Sequence, residues 1–292
     1  MGDIIKKTYQ HLRYNLLKRH VYAITSPIRV LPECTVIGTG KAGTTALYYY
    51  FSQHPCMAKS AYDELGYYND NYHLGISWYK SLFPTIFTKR KIEKEHGKFL
   101  TYDVTPQYLR DPANAQKMFD NFPNMKLIVV LRNPIDKSYS SYNAKKTSND
   151  LQIINGKQES YEHFVNKEIE LISEYEDSNG KIDGNYFTNF IPKTSLSKGF
   201  YAKFLERWFE IYDRNQFMII PSYELADTTS KTLNKIFRFL GLPEYDIPDT
   251  SKQNTQSYEP MNNEIRQTLI NFFKKYNNDL YSLLDRRFDW DK

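Results

Sequence analysis

The chain has 292 residues, 40% of them hydrophobic, with 25 Tyr and 18 Phe, enough to bury a sizeable core and too apolar for a disordered segment. Its 39 basic and 34 acidic side chains leave a net charge of +5, a mild surplus that suits an anionic small ligand and, lacking any run of Lys and Arg, gives no track for nucleic acid. No stretch reaches about 18 consecutive apolar residues, so no membrane span is expected, and Ile4-Ile5 followed at once by Lys6-Lys7 does not read as a signal peptide.

Residues 3–21 read as an amphipathic helix, with Ile5, Tyr9, Leu12 and Leu16 on one face and Lys6, Lys7, Arg13, Lys18 and Arg19 on the other. This helix lies in an extension over 1–30 that precedes a domain over 31–292. It either packs on that domain or rests on a membrane surface. Pro27 and Pro32 break the pattern. Cys34-Thr35-Val36-Ile37 then forms a β-branched, apolar run that stops at Gly38, and a helix is predicted over 44–53, ending before Pro55. His54 reads as packing or capping the end of that helix. Further strands are predicted over 99–103, 126–131 and 217–220, and further helices over 111–122, from Asn133-Pro134 onward, and over 160–176, 198–212, 229–240 and 262–284. The run 126–131 is continuously apolar, as the centre of a parallel sheet requires. The stretches 145–158 and 178–197 read as surface loops or mobile lids, not domain linkers. Strands alternating with helices imply one α/β domain, a central mostly parallel sheet flanked by helices. Cys34 and Cys56 read as reduced thiols, and the compartment as cytoplasmic.

The most informative segment is Gly38-Thr39-Gly40-Lys41-Ala42-Gly43-Thr44-Thr45. Its order is strand, glycine-rich turn, helix. Glycine lets backbone approach an anion, and the helix behind offers unpaired N–H groups and a positive dipole end. Thr44 and Thr45 add hydroxyls, and Lys41 adds a full charge. The nucleoside-triphosphate loop G-x-x-x-x-G-K-[ST] fails here, because position 44 is Thr and the lysine stands between the glycines. A second anchor follows the strand over 126–131. Arg132 stands at its C-terminal end, where ligand crevices of open parallel sheets form. Ser140 lies eight residues on, about two helical turns away. Both can face one phosphate, Arg132 through a forked contact and Ser140 through its hydroxyl. Alone, Arg132 reads equally as a structural ion-pair partner.

Lys41-Ala42-Gly43-Thr44, with Leu47 and Ser52-Gln53-His54-Pro55 behind it, resembles the 5′-phosphosulfate loop of the 3′-phosphoadenosine 5′-phosphosulfate (PAPS)-dependent sulfotransferases. The similarity is nearest to the heparan-sulfate N- and 3-O-sulfotransferases and bacterial carbohydrate sulfotransferases, and runs from about residue 33 to 290. It implies the P-loop NTPase-like sulfotransferase fold, PAPS as co-substrate and no metal; the sequence contains neither H-E-x-x-H nor a Cys/His cluster. It assigns Gly40, Lys41, Ala42, Gly43, Thr44 and Thr45 to the 5′-phosphosulfate, and Arg132 and Ser140 to the 3′-phosphate. Glu64, followed by Tyr67 and Tyr68 as in the relatives, becomes the general base, with Asp63 its rival. Lys41 also stabilises charge on the leaving oxygen. Lys198-Gly199-Phe200-Tyr201 resembles a family helix start and sets Tyr201 beside the cofactor, although a packed core tyrosine fits equally.

Two departures limit the resemblance. In Asp103-Val104-Thr105-Pro106, Val104 stands where relatives carry a lysine. In the covering loop over 252–260, their Lys-Gly-Arg is absent. Thr255, Gln256 and Ser257 stand there instead, able to hold phosphate through hydroxyl or backbone groups. The resemblance points to a glycan hydroxyl or amine as acceptor, with a lipid headgroup, a small metabolite or a tyrosyl residue as alternatives. Two other functions compete: a nucleotide-dependent kinase, which needs a lysine after Gly43, and a nucleotide-binding module, which does not need Glu64.

Overall fold

The computed structural model describes residues 23–151, 153–154, 157–179, 194–251 and 258–290. The amphipathic segment 3–21, and Thr255, Gln256 and Ser257, lie outside the described residues. In chain order the elements are β1 (Cys34–Gly38), α1 (Thr44–Phe51), β2 (Met57–Lys59), α2 (Ile76–Ser81), α3 (Ile86–His96), β3 (Leu100–Val104), α4 (Pro112–Asn121), β4 (Lys126–Leu131) and α5 (Pro134–Thr147). A two-stranded hairpin, β5 (Ile153–Ile154) and β6 (Lys157–Gln158), comes next. It is followed by α6 (Tyr161–Asn179), α7 (Tyr201–Phe209), β7 (Phe217–Pro221), α8 (Ser222–Asp227), α9 (Thr229–Phe239) and α10 (Asn263–Leu284).

The main sheet has the order β2-β3-β1-β4-β7, and every pairing in it is parallel. Strand β4 explains why. Leu127 to Leu131 are all fully buried, because side chains alternate between two faces and both faces are covered. Leu127, Val129 and Leu131 join Ile37 in a core with Met118, Trp208 and Phe273, from α4, α7 and α10. Ile128 and Val130 join Val36 in a second core with Leu47 and Phe51 of α1 and Leu233 and Phe237 of α9. The helices start where their sequences say. The Asp111 carboxylate accepts from Ala113 N at 2.9 Å before α4, and Asn133 Oδ1 accepts from Ile135 N at 3.0 Å before α5. Each has Pro at the first helical position.

The chain leaves β1 towards β2 and β3, then crosses to β4 on the other side. The ends of β1 and β4 therefore bound a switch-point crevice at the carboxyl edge of the sheet.

The strands read from sequence are all present, and β2 is an addition. Three residues at the sheet edge are too few to show an alternation. Helix α3 was equally silent, since none of its side chains is buried and no apolar stripe marks it. The expected loop over 145–158 instead ends α5 and carries the β5–β6 hairpin. The helix expected over 198–212 shrinks to Tyr201–Phe209, preceded by a tight turn at Ser197–Gly199. That turn lies hard against its neighbours: a Cβ on Gly199 would sit 2.6 Å from Pro134 Cβ and 3.0 Å from Phe273 Cε1. Gly199→Ala should therefore destabilise the domain by about 1–3 kcal/mol. A lower urea midpoint with unchanged slope is the expected reading, and an unchanged midpoint refutes the close contact.

Candidate active site

The turn after β1 is pinned before it reaches α1. Thr39 donates its N–H to Val130 O at 2.8 Å and its hydroxyl to the same oxygen at 3.0 Å. The turn then takes a left-handed conformation at Lys41 (φ 65°) and at Gly43 (φ 97°), the residue just before α1. Glycine suits the second position because a side chain is strained there. Residues 39–46 line one cleft of about 1140 Å³. Across it, Arg132 leaves the end of β4 and donates Nη1–H to Lys41 O at 2.8 Å. Behind the arginine, the buried Tyr201 hydroxyl donates to Arg132 O at 2.7 Å.

Lys41, Arg132 and Ser140 thus face a single cavity, together with Gly40, Ala42, Gly43, Thr44 and Thr45. Ser140 is buried, and neither its hydroxyl nor Lys41 Nζ is bonded to another described residue. Tyr201 is not in the cleft wall. It sits behind Arg132 and holds the strand end, the packed alternative left open by the sequence. His54 is buried at the far end of α1, where its ring packs on Phe237 and Nδ1 accepts from Cys56 N at 3.1 Å.

Glu64 lines the same cleft, whereas Asp63 does not. Glu64 holds a left-handed backbone (φ 57°) and donates its N–H to Val104 O at 3.0 Å, at the end of β3. Its carboxylate accepts from Gln107 Nε2 at 3.1 Å. Asp63 turns inward. Burial, then the charges of Glu64 and Asp103, push its carboxyl up to about 7, and its buried Oδ1 has no hydrogen-bond partner among the described residues.

Sequence reasoning did not find what holds this segment. Asp103, fully buried, accepts from Tyr79 Oη at 2.9 Å, Tyr108 Oη at 3.0 Å and Thr105 Oγ1 at 2.7 Å. Tyr108 Oη in turn accepts from Tyr67 N at 2.8 Å, and Thr105 Oγ1 from Gly66 N at 3.4 Å. The two residues after Leu65 are therefore hung from one carboxylate through two hydroxyls. Burial pushes Asp103 up to about 6 against the pull of its three donors. Tyr67 and Tyr68, 2% and 0% exposed, stack into this aromatic cluster and do not reach the cleft. The available signal was an acid in the third-last position before Pro106, inside an apolar strand.

Three more cations enter the cleft, and the sequence reading gave none of them a role there: Arg110 after β3, Lys137 in α5, and Lys198 in the turn before α7. Burial, then Arg110, Lys198 and Arg132, lower Lys137 to about 7. Burial, then Arg110 and Lys145, lower Lys198 to about 8. Burial also lowers Arg110. Val104, at the relatives' lysine position, is 1% exposed and belongs to the second core, so it offers the cleft nothing. Among the described residues no group of three or more His, Cys, Asp or Glu is placed to hold a metal, and no helix is long and apolar enough to cross a membrane. Cys34 and Cys56 are buried and unbridged.

A cleft at the carboxyl edge of a parallel sheet, floored by a glycine turn and walled by cations, suits a ligand that carries phosphate or sulfate. The sulfotransferase domain family matches residues 31–279, and the chain belongs to the sulfotransferase family, enzymes whose sulfuryl donor is PAPS. A membrane-associated sulfotransferase of Dictyostelium discoideum is 27% identical over 89% of this chain and 66% of its own length. Bifunctional heparan sulfate N-deacetylase/N-sulfotransferase 4 of Mus musculus is 25% identical over 88% of this chain. The chain spans 30% of that larger protein. A sulfotransferase structure from Alicyclobacillus acidocaldarius superposes with a TM-score of 0.64 at 22% identity, covering 90% of this chain and 100% of the other, and shares its fold.

Asp63 gives a measurable signature. Its folded-state carboxyl titrates near 7, against 3.8 for an ordinary aspartate, so the folded form binds more protons between those values, and stability falls as pH rises through that window. Asp63→Asn, fixed in the neutral form, should gain melting temperature over the wild type progressively from pH 4 to pH 7, with no further gain above. A difference independent of pH would show that Asp63 is not the buried acid described.

Proposed function

We propose that this chain moves a sulfuryl group from PAPS to a hydroxyl or amine of an acceptor, a glycan in the first instance, by in-line displacement. The observation that carries the reading is the shared cleft. It holds Lys41 and the β1 turn, Arg132 with Ser140, and Glu64 in one cavity. The turn amides with Thr44 and Thr45 hold the 5′-phosphosulfate, and Arg132 with Ser140 hold the 3′-phosphate. The Lys41 ammonium and the Ser140 hydroxyl, which spend no hydrogen bond on another described residue, fit that anionic load.

The chemistry then assigns roles. The acceptor atom forms its bond to sulfur as the bond from sulfur to the 5′-phosphate oxygen breaks. The acceptor proton passes to the Glu64 carboxylate, which is kept in place by Gln107 and by its backbone bond to β3. The electron pair of the broken bond remains on the phosphate oxygen of the departing 3′-phosphoadenosine 5′-phosphate, where Lys41 stabilises it. Asp63, turned away from the cleft, supplies no base. Glycan acceptors are supported by the heparan sulfate relatives, by name alone.

Calorimetry with 3′-phosphoadenosine 5′-phosphate in EDTA should show binding without metal. Arg132→Ala should weaken it by about 10- to 100-fold, the loss of one charge-assisted contact of about 1.5–3 kcal/mol. Glu64→Gln should leave that affinity unchanged and lower kcat by about 10²- to 10⁴-fold with PAPS and an N-deacetylated heparosan acceptor. Nucleotide binding that is absent sinks the donor site, and full turnover by the Glu64 variant sinks the base.

A further inference from the structure

Arg110, Lys137 and Lys198 are unused by the mechanism above, yet each lines the cleft. They come from three separate elements, so no single helix end or charge run accounts for their meeting. Lys137 is 7% exposed, and its Nζ donates to Lys198 O at 3.1 Å. None of the three forms an ion pair among the described residues. Glu168 of α6 acts on Lys137 and Lys198 without pairing with either. Its carboxylate accepts from Ser195 N at 2.8 and 2.7 Å and from Leu196 N at 2.7 Å. On the Arg110 side, Glu64 accepts from Gln107 and Asp111 caps α4.

Three desolvated cations, none in an ion pair with a described residue, are costly to the fold unless something supplies more negative charge. Such clusters in a cleft mark function more often than chance. Lys137 feels Arg132, Arg110 feels Glu64, and the three feel one another, so the group lies within electrostatic reach of both.

We propose that Arg110, Lys137 and Lys198 form an oxyanion subsite, additional to the nucleotide's phosphate anchors, that grips a carboxylate or sulfate carried by the acceptor. The assignment of the anion to the acceptor rests on the sulfotransferase reading. The subsite gives this chain an acceptor-side cation set, with Arg110 supplied by the segment after β3, where Val104 offers none. It selects acceptors with an acidic group near the atom to be sulfated. A neutral acceptor would leave the three cations unmatched.

The test uses the full chain saturated with 3′-phosphoadenosine 5′-phosphate and titrated with inorganic sulfate. The wild type should bind sulfate in addition to the nucleotide. Lys137→Met and Arg110→Gln should each weaken sulfate at least tenfold while changing nucleotide affinity less than twofold. Because Lys137→Met removes a buried charge, its melting temperature should hold or rise, and Arg110→Gln provides an independent check. Sulfate affinity should also rise from pH 8 to pH 6 as Lys137, faced by Arg110, Lys198, Arg132 and Glu168, takes up its proton. No sulfate uptake by the nucleotide-saturated wild type overturns the subsite. Equal loss of nucleotide and sulfate in the variants overturns it too, by placing the three cations in the donor site.

A second arm compares oligosaccharides of N-deacetylated heparosan, which carry amine and carboxylate, with chitosan oligosaccharides, which carry the amine alone. The wild type should prefer the first, and both variants should lose that preference through KM. Equal use of the two by the wild type overturns the acceptor assignment. If neither is sulfated, the glycan reading fails while the sulfate titration still decides the subsite.

Discussion

The site depends on a joint between two neighbouring strand ends. Thr39 is tied twice to Val130 O, and Arg132 reaches back to Lys41 O, so the β1 turn and the β4 end hold each other. A glycine-rich turn left to itself has many conformations. Bonded across the crevice, it presents its amides and Lys41 in one arrangement, and the arginine opposite is placed by the same bond. Tyr201 completes the joint from behind, coupling it to α7. Preorganised donors of this kind are worth more than flexible ones, since little reorganisation accompanies binding.

A second constraint is independent of the first. Asp103 gathers Tyr79, Tyr108 and Thr105, and these hold the backbone that follows Glu64. The carboxylate that does no chemistry is therefore what positions the one assigned to it. Burial works against its charge, and three hydroxyl donors work for it. The adjacent acid, Asp63, has a backbone donor but no such set, and its carboxyl rises further. Neighbouring acids in one segment thus have different fates, set by what surrounds each.

The central strands and most helices were legible because their signals are local. The run Lys126–Leu131 is apolar on both faces, and Asp111-Pro112 and Asn133-Pro134 announce helix starts. The two segments proposed to hold the nucleotide phosphates were legible as cleft residues because each lies within a few residues of a strand end. What stayed hidden depends on contacts between distant segments. Tyr79 and Asp103 are 24 residues apart, and Lys137 meets the Lys198 carbonyl across 61. No periodicity or spacing encodes such meetings. Val104 reads in sequence as a missing lysine, but only the fold shows it pointing into a core while Arg110, six residues later, enters the cleft.

The engagement of Glu168 with the backbone at Ser195 and Leu196 has a kinetic consequence. Its charge still acts on Lys137 and Lys198, but it pairs with neither. Arg110, Lys137 and Lys198, gathered beside Lys41 and Arg132 in one cleft, focus a positive field outward from the mouth that draws anions in before any contact forms. Capture of charged ligands should then depend on ionic strength, since screening at about 0.15 M reaches only about 8 Å. The meeting of cations from distant segments thus sets how far from the protein an approaching molecule begins to be steered.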